Sequence, residues 1–171
     1  FLYIKKLKPY SFKINVLWSR CIRILCFYAV EKNDFTPAPD TSYIIIANHS
    51  SYLDIFLLYS ILPKTKFIFM GKSELLRYPL IKTFLKRLNI PVHRSSSRQS
   101  AKAFIKAKNE IKSGWSIVIF PEGGIIDSTA KLHPFKDGAF HLAKATQQPI
   151  LPITFINNHI LFSDPEYFFH A

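Results

Sequence analysis

His49 and Asp54 lie five positions apart in the stretch Asn48-His49-Ser50-Ser51-Tyr52-Leu53-Asp54. A carboxylate that folds back on an imidazole holds one ring nitrogen. The other nitrogen is left to take a proton from a hydroxyl, the pairing of base and orienting group that acyl transfer uses. An apolar run, Tyr43-Ile44-Ile45-Ile46-Ala47, leads into the motif, and Ile55-Phe56-Leu57-Leu58 leads out. A His directly after a buried strand sits at the strand's carboxyl end, where open α/β sheets place their ligands. A structural reading stands beside this one. Ser51 and Asp54 also have capping-box spacing, in which Asp54 satisfies backbone donors at a helix start. His49 is then a turn residue. One short motif does not decide between the two.

The elements that must position these residues can be read from the hydrophobic pattern. Apolar runs at 43–47, 66–70, 90–92, 116–120 and 150–156 predict short strands. Helical periodicity fills the gaps at 52–61, 79–88, 101–112 and 136–145. Alternation of this kind predicts a single α/β domain with a mostly parallel central sheet flanked by helices. Polar groups come after the first four strands: Asn48-His49, Gly71-Lys72-Ser73-Glu74, His93-Arg94 and Pro121-Glu122-Gly123-Gly124. With parallel strands all four emerge at one sheet edge. A base, cations, a carboxylate and glycines then surround one crevice. Each has a plainer alternative. Gly71 fits a turn, and Lys72 a solvated helix start. Arg94 fits a surface cation, Glu122 a partner for a helix dipole, and Gly123-Gly124 a flexible turn. The six His are scattered, and no set of His, Cys and carboxylates has metal-ligand spacing.

The chain has 171 residues, 49% of them hydrophobic, which suffices for a real core. The net charge of +12 is uneven. Residues 1–32 carry seven Lys/Arg against one acid, and residues 61–112 carry thirteen against two. Residues 113–171 carry three against five. A basic, Phe-rich chain implies an anionic partner: a membrane surface, a phosphorylated substrate or nucleic acid. Residues 1–35 are expected to form a basic, amphipathic, membrane-associating segment, and 36–171 the main domain. On the N-terminal helix, Ile14, Leu17, Cys21, Ile24, Leu25 and Tyr28 share one face, with Lys13, Ser19, Arg20 and Arg23 opposite. Such a helix lies in an anionic interface or covers the core. Its longest apolar run, Ile24 to Val30, is too short to span a bilayer. Cys21 and Cys26 fit no redox or zinc spacing and are expected to pack as small hydrophobes. The chain begins at Phe1 and its only Met is Met70, so a longer parent chain is expected.

Four ordered blocks carry a resemblance. Asn48-His49 precedes Asp54. Gly71-Lys72-Ser73-Glu74-Leu75 leads on to Pro91-Val92-His93-Arg94. Phe120-Pro121-Glu122-Gly123 comes next, and then Leu151-Pro152-Ile153. In this order and spacing the chain resembles the phospholipid and glycerolipid acyltransferases, the group that includes 1-acylglycerol-3-phosphate acyltransferase. The likeness covers about residues 40–156 and extends to Phe135-Lys136-Asp137-Gly138-Ala139. It departs after the third block, where family members often have Thr-Arg-Ser and this chain has Gly124-Ile125-Ile126.

The resemblance implies transfer of a fatty acyl group from acyl-CoA or acyl carrier protein to a lysophospholipid hydroxyl, with no cofactor and no metal. His49 is the implied base and Asp54 its orienting partner. Arg94 and Lys72 hold the acceptor's phosphate. Glu122 meets the glycerol backbone, Gly123 allows close approach, and Asn48 belongs to the substrate-binding set. The membrane lipids are the implied partners and the cytoplasmic face of the cell membrane the implied location. Two alternatives remain: the same chemistry on another lipid acceptor, such as an acylated amino acid, and a non-catalytic basic module that binds lipid or nucleic acid. No RNA-binding aromatic signature is present, and the second alternative leaves His49, Asp54 and Glu122 without a role.

Overall fold

In the computed structural model, residues 7–32, 35–51, 53–72, 88–93, 95–125 and 134–161 are described. The elements run α1 (Lys8–Leu25), β1 (Ile44–Ala47), α2 (Leu53–Ile61), β2 (Phe67–Lys72), β3 (Ile90–Val92), α3 (Ser97–Lys112), β4 (Ser116–Ile119), α4 (Gly138–Thr146), β5 (Ile150–Ile153) and α5 (Asn158–Leu161). The strands form one sheet in the order β3-β2-β4-β1-β5, and every pairing is parallel. The single α/β layer expected from the alternation is what forms. The helix expected at 79–88 lies outside the described residues, save Leu88.

β1 is buried along its whole length. A β-branched run suits that position, because helices cover both faces of a parallel sheet. α1 packs on α2, and α3 packs on α4. β1 connects toward β2, passing β4, while β4 connects toward β5, passing β1. Adjacent strands whose connections leave in opposite directions open a crevice at their carboxyl ends. The register places Ile46 beside Ile119, so the two strands end together.

Several boundaries differ from expectation for identifiable reasons. α3 begins at Ser97, not 101, because the Ser96 hydroxyl accepts from the Gln99 N–H at 3.4 Å and caps a polar first turn. Only later do Ala103, Ala107 and Ile111 supply the buried stripe. β2 runs through Gly71 and Lys72, which pair with Pro91 and Val92 of β3. These two residues therefore end a strand and do not start a helix. β5 stops at Ile153, and beyond it the Phe155 backbone bonds to the side chain of Asn48 in place of a neighbouring strand. Pro91 and Pro152 sit in β3 and β5, the outer strands of the described sheet, where a missing N–H is tolerated.

The N-terminal helix corrects the expected face. Phe12 and Val16 are buried, with Ser11 and Ser19 beside them. Phe12 meets the rings of Tyr59, Phe67 and Trp115. The Ser19 hydroxyl donates to the Phe56 carbonyl at 2.7 Å, and Arg23 reaches Ser60 Oγ at 3.3 Å. Ser19 and Arg23 thus face the domain, because α2 supplies acceptors for them. The apolar stripe Ile14, Leu17, Ile24 and Leu25 faces outward, with Leu25 76% exposed. Cys21 and Cys26 are exposed free thiols, not packed ones. No described helix is long and apolar enough to cross a membrane.

Candidate active site

The turn between β1 and α2 is built around one carboxylate. Asp54 is fully buried. Its Oδ2 accepts the Ser50 and Ser51 backbone N–H groups, each at 2.9 Å. The Ser51 hydroxyl accepts from the Leu53 N–H at 3.1 Å. The last bond satisfies a donor that the first turn of α2 would otherwise leave open, and the first two satisfy the turn that leads into it. The same Oδ2 lies 3.0 Å from His49 Nδ1. Capping and holding the imidazole are therefore one arrangement. In the neutral imidazole, a carboxylate at Nδ1 favours the tautomer with the proton on that nitrogen and the lone pair on Nε2. His49 keeps 13% of its side-chain surface exposed.

The imidazole is fixed on its face as well. Phe120, the residue after β4, stacks on it with centroids 4.0 Å apart and planes 16° apart. From the same loop, Glu122 Oε2 accepts the His49 backbone N–H at 3.2 Å. The turn that brings Glu122 there depends on Gly123, whose φ of +90° disfavours any residue with a Cβ. Its N–H donates to the Phe120 carbonyl at 3.1 Å. The two loops expected at one crevice are thus joined by a direct bond.

Asn48 does something local. Its side-chain nitrogen donates to the Phe155 carbonyl at 3.0 Å, and its oxygen accepts the Phe155 N–H at 2.7 Å. This pair replaces the β ladder and ties the end of β1 to the chain leaving β5. The Lys72 backbone ends β2, and its side chain lies outside the described residues, as does Arg94. Their meeting with His49 is not shown. Among the described residues, no group of three or more His, Cys, Asp or Glu could hold a metal ion.

Two participants escaped the sequence reading. Phe120 stood inside the third block but read as the end of a strand. Asn158 donates from Nδ2 to Asp54 Oδ1 at 2.6 Å and is itself buried. The available signal was the polar run Asn157-Asn158-His159 after the fifth strand, the same regularity seen after the other four.

The acyltransferase family model matches residues 29–156, three quarters of the chain, including both loops of this site. The chain belongs to the acyltransferase family. Among the family's members, a 1-acyl-sn-glycerol-3-phosphate acyltransferase of Cocos nucifera is 33% identical over 136 residues, covering 77% of this chain and 42% of that protein. One from Saccharomyces cerevisiae is 37% identical over 132 residues, covering 73% and 42%. One from Borreliella burgdorferi is 31% identical over 154 residues, covering 86% and 60%. The chain therefore spans about two fifths of the first two relatives and three fifths of the third. The crystal structure of the 1-acyl-sn-glycerophosphate (LPA) acyltransferase PlsC from Thermotoga maritima superposes with a TM-score of 0.70 at 23% identity, covering 92% of this chain and 63% of that one. That likeness shows a shared fold.

Proposed function

We propose that this chain transfers a fatty acyl group from a thioester, acyl-CoA or acyl carrier protein, to the free hydroxyl of 1-acylglycerol-3-phosphate. The observation that carries the reading is the His49–Asp54 pair, 3.0 Å apart with the carboxylate fully buried, at the carboxyl end of β1. Nε2 of His49 takes the proton of the acceptor hydroxyl. The oxygen attacks the thioester carbonyl, the C–S bond breaks, and the departing thiolate takes that proton back. Asp54 keeps the imidazole in the tautomer that can accept a proton and stabilises the imidazolium that forms. No protein nucleophile enters, and no Gly-x-Ser-x-Gly elbow is present.

Glu122 and Gly123 line the same crevice and meet the glycerol backbone in this reading, with Gly123 permitting close approach. Arg94, with Lys72, holds the phosphate by charge-assisted bonds. Asn48 serves the site through the Phe155 tie. The exposed stripe of α1, with Lys13 and Arg20 beside it, keeps the site at an anionic membrane surface, where a lysophospholipid resides. The relatives' printed activities support this choice of acceptor.

The test is thiol release from acyl-CoA by the purified chain, with 1-acylglycerol-3-phosphate present and absent, and with an acylated amino acid as a competing acceptor. Release that depends on the lysophospholipid, and falls by about 10²–10⁴-fold in His49→Ala, is expected. A folded His49→Ala protein with parental activity removes the base, and with it the mechanism.

A further inference from the structure

We propose that Asn158 is a positioning residue for acyl transfer: it holds Oδ1 of Asp54 so that Oδ2 faces His49, and Tyr28 fixes the orientation of its amide. The inference rests on the reading of His49 as the base. Asp54 has two oxygens with separate duties. Oδ2 serves His49, Ser50 and Ser51, while Oδ1 accepts from Asn158 Nδ2 at 2.6 Å. Asn158 thus acts through Asp54 and not on the reacting atoms. Its other end, Oδ1, accepts the Tyr28 hydroxyl at 2.7 Å.

That second bond decides which end of the amide faces Asp54. Burial first, and the nearby Asp54 charge second, raise the Tyr28 phenol above its ordinary range, with Arg23 opposing. The phenol therefore stays protonated and donates, which leaves the Asn158 NH₂ for the carboxylate. Three distant segments meet here: the chain after α1, the first turn of α2, and the start of α5. The ionisable groups around the meeting point are His49 and Asp54 from the β1–α2 region, Tyr28 and Arg23 from the N-terminal segment, and Glu122 through the His49 N–H. A buried carboxylate oxygen without its donor draws in water or turns, and either displaces the imidazole.

The experiment uses the full chain and thiol release from acyl-CoA, with donor and acceptor varied separately. Asn158→Ala is expected to lower kcat by about tenfold or more, the weight of one bond to a buried charge, with both KM values within about twofold. Asn158→Asp gives the sharper reading. That carboxyl is isosteric, still accepts from Tyr28, and when protonated still donates to Asp54. Two carboxyls at this separation share a proton that leaves at a raised apparent pKa. Activity relative to the parent should therefore be near normal at acid pH and fall reversibly as pH rises. A purely structural role would not produce that dependence.

His49→Ala is assayed alongside. Parental activity there overturns the base reading and the inference with it. Loss there, with Asn158→Ala keeping the parental kcat, overturns the Asn158 assignment alone. So does an Asn158→Asp enzyme that matches the parent at every pH, or that fails to recover on acidification.

Discussion

Asp54→Asn separates the charge of Asp54 from the hydrogen bonds that it accepts. Asn is as good a cap as Asp. The Ser50 and Ser51 N–H groups, each 2.9 Å from Oδ2, require an oxygen at that position. The Asn oxygen must occupy it, so the new NH₂ faces Asn158. Asn158 can turn its amide over to accept from it, and the Tyr28 hydroxyl then accepts in place of donating. The helix start survives, and His49 Nδ1 still has an acceptor, so the tautomer is kept. What disappears is the negative charge. Unit charges about 4 Å apart at an effective permittivity near 20 attract by about 4 kcal/mol. That corresponds to about three powers of ten in rate for a fully formed imidazolium. Partial charge in the transition state lowers the expected loss to about 10²–10³-fold in kcat. Stability should change little, because replacing charged by neutral hydrogen bonds is offset by a smaller desolvation cost. Asp54→Ala, which also frees the tautomer, should lose more. The assay is thiol release under saturating substrates, with thermal unfolding of each variant in parallel. An Asp54→Asn protein with kcat within tenfold of the parent refutes the charge argument and leaves Asp54 as an acceptor that caps α2 and holds the imidazole without need of its charge.

Further outcomes are expected. Arg94→Ala should raise the acceptor KM steeply with the donor KM unchanged, and Arg94→Lys should recover only part of the loss, since Lys lacks the bidentate geometry; exposed Arg98 on α3 is the control in the same kinetics. Replacing Leu17, Ile24 and Leu25 by Ser should weaken co-sedimentation with anionic vesicles, and binding of the parent should fall with salt; binding indifferent to both would refute the membrane role of α1. Gly123→Ala, at φ of +90°, should lower stability by about 1–3 kcal/mol in denaturant unfolding and impair turnover through the Glu122 turn. The buried Tyr59 phenol is raised well above its ordinary value by desolvation, with an Asn15 hydrogen bond opposing. The unfolded chain ionises first, so stability should decline as pH rises above 10, and Tyr59→Phe should flatten that decline in pH-dependent unfolding.

The sequence made the strands and the edge legible because buried parallel strands are written as short continuous apolar runs. The polar residues that end each run mark the carboxyl ends. His49, Asp54 and Glu122 fell to that reasoning, and the structure brings those three together. It could not place Lys72, because strand and turn look alike where a glycine precedes a cation; pairing with β3 decided it. The face of α1 was misread for a related reason. Hydrophobic periodicity names the apolar side, not the side that packs. Here two polar groups, Ser19 and Arg23, find acceptors on α2 and turn the apolar side outward.

Asn158 marks a different limit. A buried Asn has no periodic signature, and its partner Asp54 lies 104 positions away. Asp54 itself was visible in the sequence but ambiguous there. Capping and orienting stood as rivals because each predicts a carboxylate three residues after Ser51 and five after His49. The structure shows why no choice was available: one oxygen serves both the backbone donors and the imidazole. The backbone bonds fix that oxygen in space more firmly than a side chain alone could. The imidazole is therefore held by the helix start itself, and a five-residue spacing from His to Asp is what that geometry demands.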